Sequence, residues 1–453
     1  MKYCTAPATR AAGLLPWLRA GLIAAVLGAS IDTASAAGAT QADDGWPVYG
    51  QATNVTQNYP SFRAPYSGQN SLKAGHDTQE TTDLTLYLGR RLWPGAEGWV
   101  NAEVDQGFGL SNTIGVAGFP SGEAYKIGAS APYLRLPRAF LRQTIPLGGA
   151  TQRIDAAANQ LAGETSADNL VLTVGKFSVV DVFDTNAYAH DPRNDFLNWS
   201  VIDAGAFDYA ADAWGYTYGA AAEWNRSWWT LRAGLFEMSP VPNGKVVRVD
   251  FSARMAVLEW ELRHDWAGRP GKLKLLAFSN RAAMGSYRDA LRLGLQSGMA
   301  PEVALVRRRA SRVGVAVNVE QALTPDLGLF ARASANDGSK EAYEFTEINR
   351  SLSAGLQLKG GAWGWPDDKA GVAGVVNGLS RASRDYFGAG GMGILIGDGH
   401  LRYGSENILE AYYAMRLLPA VTLSMDVQHI NNPAYNRDRG PVSVWGLRLH
   451  GEF

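Results

Sequence analysis

The stretch VWGLRLHGEF, residues 444–453, alternates between apolar and polar side chains. Successive side chains of a β-strand point to opposite faces, so the stretch divides into two sets. The apolar set is Trp445, Leu447, Leu449, Gly451 and Phe453, and the polar set is Gly446, Arg448, His450 and Glu452. A half-buried strand of a soluble protein has the same period. The rest of the chain must therefore decide whether the apolar face meets a protein core or lipid.

The same alternation recurs along the chain, as in SRVGVAVNVEQ, residues 311–321. Val313, Val315 and Val317 share one face there, while Arg312 and Glu320 lie on the other. Strands of a membrane barrel alternate in this way, with one face toward lipid and one toward water. They never build the run of about 20 apolar residues that a spanning helix needs.

The lengths of the connections supply an independent signal. The alternation predicts about sixteen strands, from 49–56 to 442–453, with 246–264 taken as one strand. The connections alternate between short and long, apart from 146–169, which is long on the short side. A soluble sandwich has no reason for one-sided loop lengths. We therefore predict an all-β transmembrane antiparallel β-barrel with long extracellular loops and short periplasmic turns.

The first residues have the layout of a secretory signal peptide. Lys2, Arg10 and Arg19 precede the apolar run at 20–30, and small residues follow at 34–36, which predicts a cleaved signal over 1–36. The apolar run is too short for a membrane anchor. We expect residues 37–453 to form the barrel in the outer membrane of a Gram-negative cell.

Cleavage after residue 36 changes the composition in two ways. It removes Cys4, the only cysteine, so the exported chain has no thiol for a disulfide or a metal site. It also removes three of 42 basic and one of 43 acidic residues, which leaves a net charge near −3. This balance of charges excludes a strongly basic protein that binds nucleic acid through its net positive charge.

Several separate motifs resemble one family of outer-membrane proteins. They are RAPYSGQNSL, GVAGFPSGEAYK, AYAHDPRNDFLNWS, DAGAFDYAADAWGYTYG, FARASANDG, ILEAYYA and NPAYNRDRGPVSVWGLRLHGEF. Together they resemble the carbohydrate-selective porins of the OprB type, from about residue 46 to the end. The resemblance implies a sixteen-stranded barrel without a cofactor. Small neutral sugars, monosaccharides such as glucose, would diffuse through it into the periplasm.

Two further partners are expected from the barrel itself. Its outer face should meet outer-membrane lipid. A closing strand that ends in an aromatic residue is what the outer-membrane assembly machinery favours, so Phe453 predicts that partner.

The longest connection, 177–215, is the predicted constriction loop. Trimeric general porins fold the equivalent loop inward as a constriction, and the resemblance implies the same here; the alternative is a solvated external loop. Planar hydrogen-bonding groups and an aromatic face suit sugar hydroxyls and sugar C–H groups. The candidate sugar contacts in this loop are Asp184, Asn186, His190, Asp191, Arg193 and Trp199.

Charged side chains recur on the predicted inner face of the strands. The densest basic strand, YLRLPRAFLRQT, carries Arg135, Arg138 and Arg142 as a candidate basic ladder at the constriction, although these arginines could simply pair with carboxylates. The other predicted pore-lining residues are Glu103, Asp105, Arg312, Arg332, Glu410 and Asp426. This mixture of signs favours neutral solutes, because an anion pore needs an excess of Lys and Arg.

Enzymatic and metal chemistry have little support in the sequence. The six histidines show no metal-ligand spacing. A lipid hydrolase on the outer face would need Ser, His and Asn or Asp at one rim, and His429 has no serine partner that the sequence identifies. We expect a channel rather than an enzyme, with a channel for small organic acids as the other transport hypothesis.

Overall fold

The computed structural model describes residues 46–453, so the predicted signal peptide 1–36 lies outside the described residues. Sixteen antiparallel strands close into one barrel, in which each strand pairs with its sequence neighbours and β1 pairs with β16. The strands are β1 Val48–Tyr59, β2 Asp77–Trp93, β3 Ala96–Gly107, β4 Ala129–Ile154, β5 Gly163–Phe177, β6 Thr217–Asn225, β7 Trp229–Glu237, β8 Arg254–Trp266, β9 Arg269–Met284, β10 Arg308–Ala322, β11 Leu327–Asn336, β12 Arg350–Lys359, β13 Lys369–Gly378, β14 Glu406–Leu418, β15 Val421–Asn431 and β16 Val442–Glu452. The predicted fold class is confirmed.

The two faces of the wall differ as the alternation predicts. Trp445 and Leu447 on β16, and Val313 on β10, keep about half of their surface exposed on the outside. Arg312 and Arg448, on the opposite face, are buried inside the barrel. In a barrel wall the exposed apolar face is the one that lipid covers.

Connections at one end of the barrel are short and those at the other end are long. The short ones are 94–95, 155–162, 226–228, 267–268, 323–326, 360–368 and 419–420, and the long ones are 60–76, 108–128, 178–216, 238–253, 285–307, 337–349, 379–405 and 432–441. We name 108–128 loop 2 and 178–216 loop 3.

The three α-helices within residues 46–453 lie in long connections. They are α1 Trp199–Ile202, α2 Tyr287–Ser297 and α3 Arg381–Gly388. The 3-10 turns are Leu110–Asn112, Val179–Asp181, Val303–Val306, Gly360–Trp363 and Pro433–Tyr435. Within residues 46–453, no helix combines the length and the apolar character needed to cross a bilayer.

The prediction of a strand over 246–264 was wrong at its beginning. β8 begins at Arg254, and 238–253 is a loop. The loop contains a turn at Asn243, whose φ is 58°, and an Asp250 side chain that accepts the N–H of Ser252 at 2.8 Å. Such local turns interrupt the ladder despite the alternating valines. Arg248 therefore lies in a loop and not on a strand face.

The interpretation of 146–169 as a long loop was also wrong. Residues 146–154 of β4 pair with residues 163–169 of β5, so the two strands continue as a ribbon and only 155–162 is unpaired at its tip. The register shifts at Pro146 and Gly148, since proline cannot donate to the ladder. Because of these irregularities, the alternation of apolar and polar residues does not reveal this part of the strand.

Candidate functional site

Loop 3 lies inside the barrel, where wall residues hold its backbone. Asp184 accepts from Arg332 Nε at 3.3 Å and from Asn318 Nδ2 at 2.7 Å. Glu410 accepts the N–H groups of Leu197 and Asn198 at 2.6 and 3.2 Å. These contacts come from β10, β11 and β14, and they fix the loop to the inner face of that part of the wall.

Loop 2 also folds inward and packs against loop 3. The N–H of Gly122 donates to the carbonyl of Leu197 at 2.7 Å, and the N–H of Trp199 donates to the carbonyl of Phe119 at 3.1 Å. The rings of Phe119 and Trp199 stack with centroids 5.0 Å apart. The two loops thus form one packed body that fills much of the barrel interior.

A cavity of about 830 Å³ remains between this body and β4. Six of the nine predicted sugar-contact residues line it: Arg135, Arg138, His190, Asp191, Arg193 and Trp199. It extends to the short-turn end, where Pro419 and Ala420 line it. An adjoining cavity of about 720 Å³ shares Arg138, Asp181 and His190 with the first and adds Arg142.

The arginines of β4 are paired with carboxylates. Arg135 pairs with Glu103 and Asp105. Arg138 makes two parallel bonds to Asp181, Nε to Oδ2 at 2.8 Å and Nη2 to Oδ1 at 2.6 Å. Both guanidinium groups are therefore held rigidly, in the planar geometry that suits paired hydrogen bonds.

Arg135 and Arg138 face the lumen together because β4 bulges between them. Arg138 lies opposite Asn101 on β3, but Arg135 lies opposite Glu103, so three residues of β4 match two of β3. The extra residue falls at Leu136–Pro137, where a proline interrupts the ladder. Regular alternation would put these arginines on opposite faces.

Arg193 and Asp191 bring loop 3 into the same charged cluster. Arg193 Nε lies 3.2 Å from Glu123 and its Nη2 lies 3.3 Å from Asp83. Asp191 accepts the N–H of Arg193 at 2.9 Å. Burial raises the pKa of Asp191, but the charge and N–H of Arg193 outweigh burial and leave it below its usual 3.8.

His190 stands beside Asp203 in the cavity wall. Its Nδ1 lies 3.5 Å from Asp203 Oδ1, and neither atom has a well-formed hydrogen bond within the described part of the chain. Burial lowers the pKa of His190, whereas Asp203 raises it, and the net result is a pKa above the ordinary 6.5. The imidazole is thus a titratable charge at the cavity surface.

Sequence reasoning did not include several cavity residues among the site candidates. Asp181, Glu123 and Lys126 line the cavity, as do the aromatic residues Trp214 and Tyr216. The Tyr216 ring lies under the Arg135 and Arg138 guanidinium carbons, 5.0 and 4.9 Å from its centroid. Glu123, Lys126, Trp214 and Tyr216 fall within two of the quoted family motifs, which was the available signal.

The remaining predicted residues lie away from the main cavity. Asp184 and Asn186 are buried against the wall, where Asn186 donates to Asn318 at 2.8 Å. Arg142 pairs with Glu97 at 2.7 Å and lines only the second cavity.

The predicted pore-lining residues face inward but are covered. The side chains of Glu103, Asp105, Arg312, Arg332, Glu410 and Asp426 are all buried. Arg312 pairs with Asp208 of loop 3, as Arg332 does with Asp184. The physical reason is that the inserted loop needs partners for its buried polar groups, and Arg312, Arg332 and Glu410 supply them. Glu103 and Asp105 pair instead with Arg135 of β4.

The outer face carries a His–Ser pair that the sequence did not identify. His429 Nδ1 lies 3.0 Å from Ser443 Oγ across β15 and β16. Hydrolytic triads also need a group that orients the histidine, and no carboxylate or amide hydrogen-bonds to His429 among residues 46–453. In the same residues, no cluster of three or more His, Cys, Asp or Glu is placed to hold a metal ion.

Solved structures of outer-membrane channels share this fold. A high-pH structure of OprB from Pseudomonas putida is 16% identical, with a TM-score of 0.69, and the match covers 91% of this chain and 95% of that one. A low-pH structure of the same protein is 14% identical, with a TM-score of 0.50 and coverage of 91% and 93%. No curated protein matches the chain.

The closed barrel and its inward loops define an outer-membrane porin, a channel for diffusing solutes. A model of the OprB family of carbohydrate-selective porins matches residues 69–453. The chain belongs to this family. Its short-turn end accordingly faces the periplasm, and its long loops face the cell exterior.

Proposed function

We propose that small neutral sugars, monosaccharides such as glucose, diffuse through this porin into the periplasm. The observation that supports this most strongly is the cavity between loops 2 and 3 and β4, where paired charges lie beside aromatic rings. Arg138 uses Nε and Nη2 on Asp181, so its Nη1 remains to address a hydroxyl. The part-buried ring of Trp214 lines the same cavity and can meet the C–H side of a sugar.

The charge balance of the cavity favours a neutral solute. Its lining includes the cations Lys126, Arg135, Arg138 and Arg193 and the carboxylates of Glu123, Asp181, Asp191, Asp203 and Glu452. Most of these charges are already paired, so neither sign dominates the passage. Affinity near 1 mM, roughly −4 kcal/mol, would allow recognition without holding the solute.

Loop 3, the predicted constriction loop 177–215, should set the size limit. A barrel of sixteen strands without an insert leaves a wide aqueous channel. Removing residues 204–211 of loop 3, which lie beyond α1, should raise the single-channel conductance and let disaccharides pass. Unchanged conductance in a folded variant would place the narrowest point elsewhere.

Liposome swelling tests the choice of solute. Vesicles containing the porin should swell fastest in a neutral monosaccharide, more slowly in a disaccharide, and more slowly in a sugar acid of monosaccharide size. Faster entry of the sugar acid would favour the second candidate, a channel for small organic acids, for which Arg135, Arg138 and Arg142 on β4 are the supporting observation. Equal entry of all three solutes would contradict selectivity of either kind.

A further inference from the structure

The ribbon formed by β4 and β5 is unlike the other connections at the periplasmic end. Neighbouring connections such as 94–95 and 226–228 are tight, but β4 and β5 continue past the wall to a tip at 155–162. The side chains of residues 147–153 are exposed, as expected of a ribbon outside the wall. The tip, however, does not point away from the barrel.

Wall residues hold the backbone of this tip. Arg142 Nη1 donates to the carbonyl of Asn159 at 2.8 Å, and Glu97 accepts the N–H of Leu161 at 2.9 Å. Arg91 Nη2 donates to the carbonyl of Ala162 at 2.7 Å. Arg142 also donates to Glu97 at 2.7 Å, so the attachment is a connected network. Residues of β2, β3 and β4 therefore fold the tip back toward the barrel.

The tip lies where the two cavities meet. Ala157, Ala158 and Asn159 line both of them, together with Arg138 and His190. A solute that moves from the main cavity into the adjoining one therefore passes this tip.

Asn159 has the features of a contact residue. It adopts a left-handed backbone conformation with φ 61°, which asparagine tolerates better than most residues. Its Oδ1 is buried and has no hydrogen-bond partner in the described chain. An unpaired amide oxygen at a cavity wall is an acceptor that a solute hydroxyl can use.

We propose that residues 155–162 form a second narrowing of the solute path, on the periplasmic side, and that Asn159 contacts the passing sugar there. The solute contact rests on the proposed function, whereas the narrowing does not. Arg142 then acts as a positioning residue, because it holds the carbonyl of Asn159.

A single cysteine tests the narrowing with ion current alone. Residues 46–453 contain no cysteine, so Ala158→Cys introduces one reactive thiol at the tip. Labelling with an anionic methanethiosulfonate added from the periplasmic side should cause a stepwise loss of single-channel conductance. Ala150→Cys, exposed on the ribbon and outside both cavity linings, is the matched control and should keep its current after labelling. Complete labelling of Ala158→Cys with unchanged current would overturn the narrowing.

A second variant tests the contact without breaking the fold. Asn159→Gly keeps the left-handed backbone and the carbonyl that Arg142 holds, but it removes the amide. The glucose concentration for half-block of ion current should rise about fivefold, the equivalent of one hydrogen bond. Unchanged block would overturn the role of Asn159. Absence of sugar block in the wild type would instead refute the proposed function, and the cysteine result would still decide the narrowing.

Discussion

Arg138 on the barrel wall and Asp181 on loop 3 are joined by two hydrogen bonds, of 2.8 and 2.6 Å. The pair links the strand that carries the arginines to the loop that lies inside the lumen. Such a fork fixes orientation as well as charge, so the cavity surface on this side is preorganised for its solute.

Replacing Arg138 with alanine should weaken sugar block by about 1 to 2 kcal/mol, the scale of a hydrogen bond to a charged group. Selectivity should also shift toward cations, because Asp181 loses its partner. Block of ion current and reversal potentials measure both effects. Arg308→Ala, which removes an exposed partner of Asp289 in the external loops, is the matched control. If the Arg138→Ala channel kept wild-type sugar block and wild-type selectivity, this arginine would only pair with a carboxylate of the channel interior.

The buried pair of Arg332 and Asp184 should anchor loop 3. Both side chains are about 1% exposed, and removing one partner of a buried pair costs about 3 to 5 kcal/mol. Arg332→Ala should therefore lower the temperature at which the folded gel band is lost, and raise conductance as loop 3 loosens. The double variant Arg332→Met with Asp184→Asn should recover part of this stability. A double variant no more stable than Arg332→Ala would argue against the pair as the anchor.

Alternation along the sequence was sufficient to predict the wall. The valines at 313, 315 and 317 face outward because a regular strand keeps its period of two over its whole length. The one-sided loop lengths predicted which end of the barrel faces the periplasm and which faces the cell exterior. Both signals are local in the sequence, so they can be recognised without knowledge of tertiary contacts.

The site was harder to predict, because its geometry depends on irregularities and on contacts distant in sequence. The bulge at Leu136–Pro137 brings Arg135 and Arg138 to one face, and no count of residues predicts where a bulge is accommodated. The partner of Arg332 lies 148 positions away in the chain. Pairing of that kind is decided by how loop 3 enters the lumen.

Phe453 extends the seam that closes the barrel. Its N–H donates to the carbonyl of Gly50 at 2.8 Å and its carbonyl accepts the N–H of Gly50 at 2.7 Å. The ring packs over the same glycine, where a Cβ would lie 2.2 Å from it. We propose that the assembly machinery engages this strand end. Phe453→Ala should then reduce the amount of folded porin in the outer membrane while the assembled channels keep normal conductance, and Phe453→Tyr should restore the amount. Normal levels of Phe453→Ala in membrane fractions would contradict the proposal.

The charge of His190 should make ion selectivity depend on pH. Burial lowers the pKa of His190 and nearby Arg332 lowers it further, but Asp203 and Asp184 raise it, with a net pKa above 6.5. The imidazolium is therefore present below that value and is lost as the pH rises through it. We expect preference for anions to fall as the pH rises above 6.5.

Lys126 titrates in the same window and must be separated from His190. It lines the same cavity, and burial lowers its pKa to about 8. Reversal potentials should show contributions from both groups in the wild type, whereas His190→Gln should keep only the contribution of Lys126, near pH 8. Adding Lys126→Met to His190→Gln should flatten the profile further, because the charge of Lys126 is then gone as well. If His190→Gln follows the wild-type curve, the imidazole does not carry its charge into the solute path, and the contact with Asp203 is structural.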